Sequence, residues 1–564
     1  MGNLGCLVTG LGLGLVVVST PAQPVPDAGS LLRQTERETA PPAARPAPPA
    51  TQAAPASAQE QPGQVRFVVK SFQVQGASLV SQSDVQLALA PWLNRAITFV
   101  DLEQAATAVT ALYRSRGWFV RPQFPAQDIQ EGVVRLDLIE GKLGEVRIDD
   151  GGQALRLDPL YVRGLVTARQ KQGDALQMDH LERSVNLLND TPGVVASVSL
   201  APGNATGESD VLVRAQDKPL WSGLAQLDNF GTRSTGNSRA STTVYLDNPS
   251  GQGNQGALNA LATEGLRYIK LGYSIPWGVD GLRVGVAAAG MQYRLLRDFA
   301  ALDAKGHART LGVYGSYPWV RSGNRNVVLN AVLEDRSYHN QANGTQTSQN
   351  TSRSALLSLN GDSADNWGQG GFTLWSLSAT VGRMDLSGNA VNQAADQAGA
   401  RTEGGFHKLG FSLARLQRLS PKTMLWVSAN GQFAGKNLDS SEKFFLGGPY
   451  AVRAYPSLEA QADSGWVSTL ELRHNLRPEM QLIAFYDHGR AQVNHDASYA
   501  GAPALNRYAL SGYGLGLGWN QPGSFIVRAT VSHRRGENPA ARGGLDSDGS
   551  KSATRVWLVA TKYF

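Results

Sequence analysis

Cysteine and long apolar runs are both scarce in this chain of 564 residues, and each scarcity excludes a class of protein. The one cysteine, Cys6, lies at the start of the N-terminal apolar region, so a chain cleaved after Ala22 has neither a disulfide nor thiol chemistry. No later stretch approaches the roughly 18 uninterrupted apolar residues of a membrane helix. If the chain enters a membrane, we therefore expect a β-barrel, whose closed sheet satisfies every backbone hydrogen bond.

The usual signatures of enzymes, metal sites and nucleic-acid binding are missing as well. The eight histidines show no metal-ligand spacing, and no serine lies in a nucleophile-elbow pattern. The 52 basic and 46 acidic residues give a formal net charge of +6, which is spread along the chain without a basic stripe. We therefore expect no enzymatic activity, no cofactor or metal, and no nucleic acid as a partner.

The N-terminus has the pattern of an export signal. Residues 7–18 are apolar and too few to span a bilayer, and residues 20–22 offer small side chains for cleavage. Residues 1–6 contain no Lys or Arg, although a basic start is usual, so the true start codon stays open. We predict a signal peptide over residues 1–22.

Residues 23–63 are predicted to form a short helix followed by a linker. Asp27 or Ser30 can cap a helix over residues 27–39, and the segment 41–62 is rich in proline, which favours an extended, solvated chain. Such a segment is either a disordered leader or a mobile plug, meaning a polar helix that enters a water-filled lumen on a long tether.

Two small α/β modules are predicted over residues 64–142 and 143–217. Both copies have the order strand, helix, helix, strand, strand, which is an internal repeat clearer in pattern than in residues. The patterned segments lie at 65–74, 83–90, 101–116, 119–123 and 133–139 in the first copy and at 143–148, 179–188, 194–200 and 211–215 in the second.

Helical periodicity disappears in residues 218–564, and apolar residues alternate with polar or small ones. Residues 269–275 and 525–531 are examples, and glycines alternate with larger residues over 512–519. Outer-membrane strands take about 9–11 residues plus their loops, so this region has room for about sixteen strands. The chain ends on an aromatic residue, Phe564, as a barrel assembly signal would. We predict an antiparallel transmembrane β-barrel.

One loop and one strand within this region are predicted to contact each other. Two glycines and a proline bend the chain before a lone arginine, Arg453, and period-2 spacing places three later residues on one strand face. An inward-folded loop held by an ion pair between Arg453 and Asp487 accounts for both patterns; the alternative is that Arg453 is a solvated loop arginine. The predicted site comprises Gly447, Gly448, Pro449, Val452, Arg453, Ala454 and Tyr455 on the loop and Phe485, Asp487 and Gly489 on the barrel wall.

Taken together, these segments resemble the outer-membrane transporters of two-partner secretion, the haemolysin-activator and filamentous-haemagglutinin transporter family, within the superfamily of barrels with POTRA modules. The resemblance covers almost the whole chain. It is carried, in the family's order, by residues 124–141, 187–194, 228–236 and 446–455. It implies a multidomain fold: an N-terminal helix and linker, two α+β POTRA modules and a barrel of about 16 strands.

The resemblance also implies a function. The protein would lie in the outer membrane of a Gram-negative bacterium with its POTRA modules in the periplasm, among outer-membrane lipid, after insertion by the barrel assembly machinery. The modules would bind a large unfolded partner protein, such as an adhesin or a cytolysin, and the barrel would pass it to the cell surface. The alternatives are an outer-membrane protein assembly factor and a passive porin.

Three details depart from the family pattern or imitate it. Ala454 stands where the family's Val-Arg-Gly-Tyr loop has glycine, which is tolerable if φ is negative there. Lys562 stands near the end of the final strand, where assembly signals usually have an apolar residue, and a lysine at a strand end can reach the interface. Residues 162–165 imitate the loop tetrad, but they precede a helix in the second module, so we expect a turn there.

Overall fold

The computed structural model describes residues 25–39, 66–129, 131–149, 151–152 and 154–564. The predicted signal peptide, Cys6 and the whole Pro-rich segment 41–62 lie outside the described residues.

A short helix, α1 (Ala28–Thr39), is the first described element. The Asp27 carboxylate accepts a hydrogen bond of 2.8 Å from the backbone N–H of Ser30, and it also accepts one of 2.7 Å from the Ser30 hydroxyl. Asp27 is therefore the N-cap, since its side chain satisfies a donor of the first turn.

The first module contains a three-stranded sheet, with β2 parallel to the central β5 and β4 antiparallel to it, and a separate pair of β1 and β3. Thr98 and Asp101 form a capping box, so the long helix begins two residues before the predicted start at residue 101. The elements are β1 (Phe67–Val69), β2 (Ser71–Gln75), α2 (Gln82–Leu89), β3 (Arg95–Ile97), α3 (Phe99–Ser115), β4 (Val120–Gln123) and β5 (Val133–Glu140).

The second module repeats the order strand, helix, helix, strand, strand, with β8 at the centre of its sheet. The prediction of a turn at residues 162–165 is wrong, because these residues lie in α4. Asp158 caps that helix, Pro159 occupies its first turn, and Val162 and Leu165 face the module core. The elements are β6 (Lys142–Asp149), α4 (Pro159–Thr167), α5 (Met178–Asp190), β7 (Val194–Pro202) and β8 (Glu208–Asp217).

Backbone hydrogen bonds join the two modules. Phe119 N–H donates to the Leu176 carbonyl at 3.1 Å, and Leu176 N–H donates to the Gly141 carbonyl at 2.8 Å. A third bond of 2.9 Å runs from Met178 N–H to the Gly117 carbonyl. The modules therefore meet through main-chain contacts, which do not depend on flexible side chains.

The remainder forms a closed barrel of sixteen antiparallel strands, which confirms the predicted fold. The last strand pairs with the first over five residue pairs, from Val559 opposite Asp228 to Tyr563 opposite Leu224. The barrel strands are β9 (Trp221–Asp228), β10 (Arg239–Asp247), β11 (Gln255–Ala262), β12 (Leu266–Pro276), β13 (Arg283–Arg294), β14 (Lys305–Arg321), β15 (Arg325–Ala342), β16 (Thr345–Asp365), β17 (Gly371–Asp385), β18 (Gly404–Arg418), β19 (Thr423–Ala434), β22 (Ser464–Asn475), β23 (Met480–Gln492), β24 (Arg507–Gln521), β25 (Phe525–Arg534) and β26 (Thr554–Tyr563).

Further short elements lie in the loops of the barrel. The loop between β17 and β18 contains the helix α6 (Ala390–Ala398), and the loop between β19 and β22 contains the short strands β20 (Phe444–Phe445) and β21 (Gln461–Ala462). Within the described residues, no helix is long and apolar enough to cross a membrane.

The barrel has one end near the modules, here called the module end, and an opposite far end. Exposed tryptophans mark the module end, as aromatic residues do at a membrane interface. Along the strands, outward positions carry exposed apolar side chains that alternate with inward ones. The exposed tryptophans are Trp221, Trp277, Trp319, Trp367 and Trp519.

An ion-pair cluster fixes the second module against the barrel. Asp280, in the turn between β12 and β13, accepts hydrogen bonds from Arg169 at 2.9 Å, Arg183 at 3.2 Å and the Tyr317 hydroxyl at 2.7 Å. Partial burial alone would raise the pKa of the Asp280 carboxyl, but the bonds from Arg169 and Tyr317 and the Arg183 charge lower it to about 2. Arg321 adds a second contact, at 2.6 Å from Asp190 on α5.

Candidate functional site: the inward-folded loop and the helix in the lumen

The loop between β19 and β22 folds into the barrel at its far end. Its arms pair as the short hairpin of β20 and β21, and its tip is buried. Two non-glycine residues of the returning arm, Leu458 and Ala460, have φ of 66° and 56°. Such conformations carry strain and persist only where surrounding contacts determine them, so the loop is held in one specific path.

Arg453 is the most extensively bonded residue at the loop tip. Its guanidinium donates to the Asp487 carboxylate through Nε at 2.8 Å and Nη2 at 2.7 Å, and its backbone N–H donates to the same carboxylate at 3.1 Å. A third side-chain bond, from Nη1, reaches Glu471 at 2.7 Å. The guanidinium also lies 3.4 Å from the centroid of the Phe485 ring. The structure thus places Arg453 against its predicted partner in a bidentate geometry.

The three predicted residues of β23 all lie on the strand face that points into the barrel. Phe485 lies beneath the guanidinium, Asp487 is 0% exposed, and Gly489 leaves room for Val452, whose Cγ2 would lie 3.1 Å from a Cβ at that position. All three side-chain directions point into the lumen because alternate strand residues share a face. His488, between them, points outward and lies beside Trp466.

The glycine bend before Arg453 is also tightly packed. A Cβ on Gly447 would lie 2.2 Å from the Pro456 carbonyl oxygen, and Gly448 has φ of 118°. Val452 N–H donates to the Leu446 carbonyl at 2.8 Å, which closes the turn around Pro449. These positions need glycine because the two arms of the loop approach each other closely.

Ala454, the departure from the family pattern, fits without strain. It is absent from the residues with positive φ, as the sequence required. Its methyl group faces Gly512 on β24, where a Cβ would lie only 2.4 Å from the Ala454 Cβ. The neighbouring Tyr455 is 1% exposed, so the tip fills the space that the glycine-rich face of β24 leaves free.

Three partners of Arg453 are not among the residues predicted from the sequence. Glu471 on β22 binds Arg453 and also Arg473, whose Nε lies 2.7 Å away. The Arg453 carbonyl accepts hydrogen bonds from the Ser532 hydroxyl and the Trp557 indole N–H, both at 2.7 Å. The alternation of Leu470 and Leu472 with Glu471 and Arg473 was the one available signal, since it places two charges on the inward face of a barrel strand.

Helix α1 lies in the lumen and is bound to the wall by two clusters of charge. Glu38 contacts Arg239, which also pairs with Asp228 at 2.7 Å. Glu36 pairs with Arg336 at 3.1 Å. Glu38 and Arg239 have side chains that are 6% and 5% exposed, so this ion pair is largely shielded from water.

The same helix contacts the inward-folded loop. The Ser440 hydroxyl donates to the Asp27 carboxylate at 2.7 Å, and Arg37 Nη1 donates to the Phe445 carbonyl at 3.0 Å. Leu31 and Leu32 belong to one buried apolar cluster with Phe445 and Leu458 of the loop. The helix and the loop therefore support each other inside the barrel.

Phe564, the predicted assembly signal, extends the pairing of β26 with β9. Its N–H donates to the Gly223 carbonyl at 3.1 Å, and its carbonyl accepts from Gly223 N–H at 2.9 Å. Its side chain is 60% exposed at the module end.

Among the described residues, no group of three or more His, Cys, Asp or Glu is arranged to hold a metal ion.

Comparison with known families and relatives agrees with this architecture. The family described as haemolysin secretion/activation protein ShlB/FhaC/HecB matches residues 207–519, and the ShlB-type POTRA domain matches residues 67–141. The chain is similar to a heme/hemopexin transporter protein, HuxB of Haemophilus influenzae, with 26% identity over 93% of this chain and 94% of the relative. The outer membrane transporter CdiB of Dickeya dadantii is 25% identical over 82% of this chain and 85% of its own.

Solved structures resemble the fold as well. CdiB from Escherichia coli covers 96% of this chain and 100% of its own length with a TM-score of 0.69 at 19% identity. BamA from Haemophilus ducreyi lacking its first three POTRA domains gives a TM-score of 0.52 at 13% identity, over 88% of this chain and 100% of its own. At these identities, the likeness concerns the fold.

Proposed function

Because the chain belongs to the haemolysin secretion/activation family ShlB/FhaC/HecB, it is an outer-membrane transporter of two-partner secretion, and we propose that its periplasmic modules capture the exported partner by strand addition. The far end of the barrel is then the extracellular end. This family membership favours transport over the alternatives of an assembly factor or a passive porin.

The edge of β7 is the observation that supports this mechanism. Alternate residues of an edge strand direct both backbone groups away from the sheet. At Ala196 both groups are occupied by the Asn189 amide, at 2.9 Å and 2.8 Å. The next two outward positions, Val198 and Leu200, have no such partner within the described residues. An extended peptide can pair there through backbone hydrogen bonds, which any sequence can form.

The first module has a less open edge. The Phe72 carbonyl on β2 is already occupied by the Gln86 side chain at 3.0 Å, and β4 contains Pro122, which has no N–H to donate. We infer that β7 is the preferred capture site and that β2 contributes only around Val74.

The route through the barrel begins in a lumen that holds α1 and the inward-folded loop. A polypeptide and α1 compete for this space, so α1 leaves the lumen during transport and acts as a plug at rest. The Arg453 contacts keep the loop positioned meanwhile. The contacts support this division of roles: α1 is held by ion pairs at Glu36 and Glu38 and by its contacts with the loop, whereas the loop tip is bonded to several barrel strands.

The class of partner is a large exported protein that is unfolded in the periplasm. Relatives are named for heme/hemopexin transport and for haemolysin transport, which supports a partner of this general class. We further propose that Phe564 presents the barrel to the assembly machinery, since it is exposed beside the closing strand pair.

Photo-crosslinking in the intact protein tests capture at β7. A photoreactive amino acid at the exposed position Ser199 on β7 should crosslink to the secreted partner during export. The matched control is the same amino acid at Thr107, an exposed position on α3. Equal yields at Ser199 and Thr107, or yield only at Gln73 on β2, would contradict capture at β7.

A further inference from the structure

The outer wall of the barrel contains an open cavity of about 1090 Å³ between β12 and β17. This volume is slightly above the range of about 300–1,000 Å³ for small-molecule sites. Two neighbouring rows of outward side chains line the cavity, and each row crosses six strands in register. The row closer to the module end is apolar or aromatic throughout and comprises Tyr273, Val286, Val313, Leu333, Ala355 and Val381.

The second row changes character along its length. It is apolar on β12 to β14 and then continues with Asp335, Arg353 and Arg383. Arg353 is 83% exposed and pairs with Asp335 at 2.8 Å. Arg383 forms no hydrogen bond or ion pair with any described residue. The carboxylate of Asp385, two residues further along β17, is itself bonded to Ser387 N–H at 2.9 Å.

The two arginines lie directly opposite each other in the register of β16 and β17. Like charges in directly opposed positions destabilise a sheet, and arginine on the lipid face of a barrel carries an additional cost that depends on depth. Asp335 forms an ion pair with Arg353 alone, and the Asp385 carboxylate attracts both arginines without forming an ion pair with either. An arrangement of this kind is best accounted for by an anion that binds both guanidinium groups.

The depth of the arginines in the membrane follows from strand geometry. Arg353 lies twelve residues before Asp365, the last residue of β16, and Arg383 lies twelve residues after Gly371, the first of β17. At about 3.4 Å per residue and a tilt of about 40°, these positions are roughly 31 Å above the module end. The apolar band of such a barrel is about 25 Å tall, so both guanidinium groups reach the headgroup level of the outer leaflet.

We propose that this cavity binds an anionic lipid with a phosphorylated headgroup. The acyl chains lie against the apolar row, and the phosphate bridges Arg353 and Arg383. Guanidinium groups bind phosphate oxygens through paired N–H donors, which gives both strength and orientation. A free phosphate ion would gain nothing from the apolar row, whereas a lipid uses the charged and the apolar parts of the cavity together.

Native mass spectrometry of the full-length protein in detergent measures this binding directly. Lipid A, a phosphorylated anionic glycolipid, should bind at least tenfold more tightly than zwitterionic phosphatidylcholine. Arg383→Gln should weaken lipid A binding at least tenfold, and it leaves no carboxylate without a partner. Arg490→Gln on β23, which removes an exposed outward arginine on another part of the wall, should change the affinity by less than twofold.

Two further variants distinguish the parts of the cavity. Arg383→Lys keeps the charge and should retain the affinity for lipid A within about threefold. Leu333→Asn should weaken lipid A binding, and millimolar inorganic phosphate should still not displace the lipid that binds. Heat-dependent migration on SDS gels checks that every variant contains a folded barrel. Equal effects of Arg383→Gln and Arg490→Gln, or displacement of lipid A by millimolar inorganic phosphate, would overturn the proposal.

Discussion

Replacing Arg453 with alanine would leave two buried carboxylates without their shared cation. Asp487 would lose two side-chain hydrogen bonds and retain the Thr469 hydroxyl, at 2.9 Å, and the backbone N–H of residue 453. Glu471 would lose one bond but keep Arg473. Breaking a buried ion pair in this way costs about 3–5 kcal/mol. That cost would shift the ratio of anchored to released loop by at least about two orders of magnitude.

The same contacts predict an order of severity among variants. Arg453→Ala and Asp487→Ala should each impair secretion strongly, and the double variant should be less than additive because the residues are in direct contact. Glu471→Gln should be milder, about 1–2 kcal/mol, since Arg453 keeps its bidentate bond to Asp487. Exchanging the two charges should recover little function, because another geometry cannot reproduce the guanidinium fork.

Secretion of the partner, normalised to the amount of folded barrel in the outer membrane, is the appropriate measurement. Arg415→Ala is the matched control: Arg415 also forms a bidentate pair, with Asp365 at 2.8 Å and 3.0 Å, but it lies away from the loop and is partly exposed. An exposed pair contributes about 0–1 kcal/mol, so this variant should secrete normally. Wild-type secretion from Arg453→Ala, or strictly additive losses in the cycle with Asp487→Ala, would refute the reasoning.

Three other perturbations have expected outcomes. Deleting residues 23–60 removes α1 and should therefore raise ion conductance in planar bilayers. Unchanged conductance in an assembled barrel would contradict the plug role. Gly512→Ala should impair secretion through its clash with Ala454, and adding Ala454→Gly should restore it. Asp280→Asn should increase protease cleavage between the second module and the barrel. Because the folded pKa of Asp280 is lowered to about 2, its contribution to stability is fully present above about pH 4 and should be lost as pH falls toward 2 in the wild type alone.

The barrel and the Arg453 pair could be anticipated because both follow from local pattern. Alternation with period 2 marks strands and their faces, and this periodicity put Asp487 on the face that meets the loop. The predicted strand number also matches, since sixteen strands fill the region.

Other features depend on contacts between distant parts of the chain and have no local signature. Gly512 leaves space for the methyl group of Ala454. Because the two residues are far apart in the sequence, neither segment by itself indicates this contact. Trp557 binds the Arg453 carbonyl from the closing strand, 104 residues away. Asp158 and Pro159 are residues that typically begin a helix, and they do so in α4. The similarity of residues 162–165 to the loop tetrad nevertheless led to the wrong prediction of a turn.

The covalent tether of α1 determines how the helix returns to the lumen after its release. Thr39 ends the helix and Phe67 begins the first strand of the modules, so 27 residues connect them. A tethered ligand binds at an effective concentration that is set by the length and stiffness of its tether, about a millimolar for short flexible tethers. Return of α1 to the lumen is therefore an intramolecular step, and its probability is independent of how many transporters the membrane contains. A separate peptide with the sequence of α1 would have to reach the effective concentration that the tether provides in order to compete for the empty lumen.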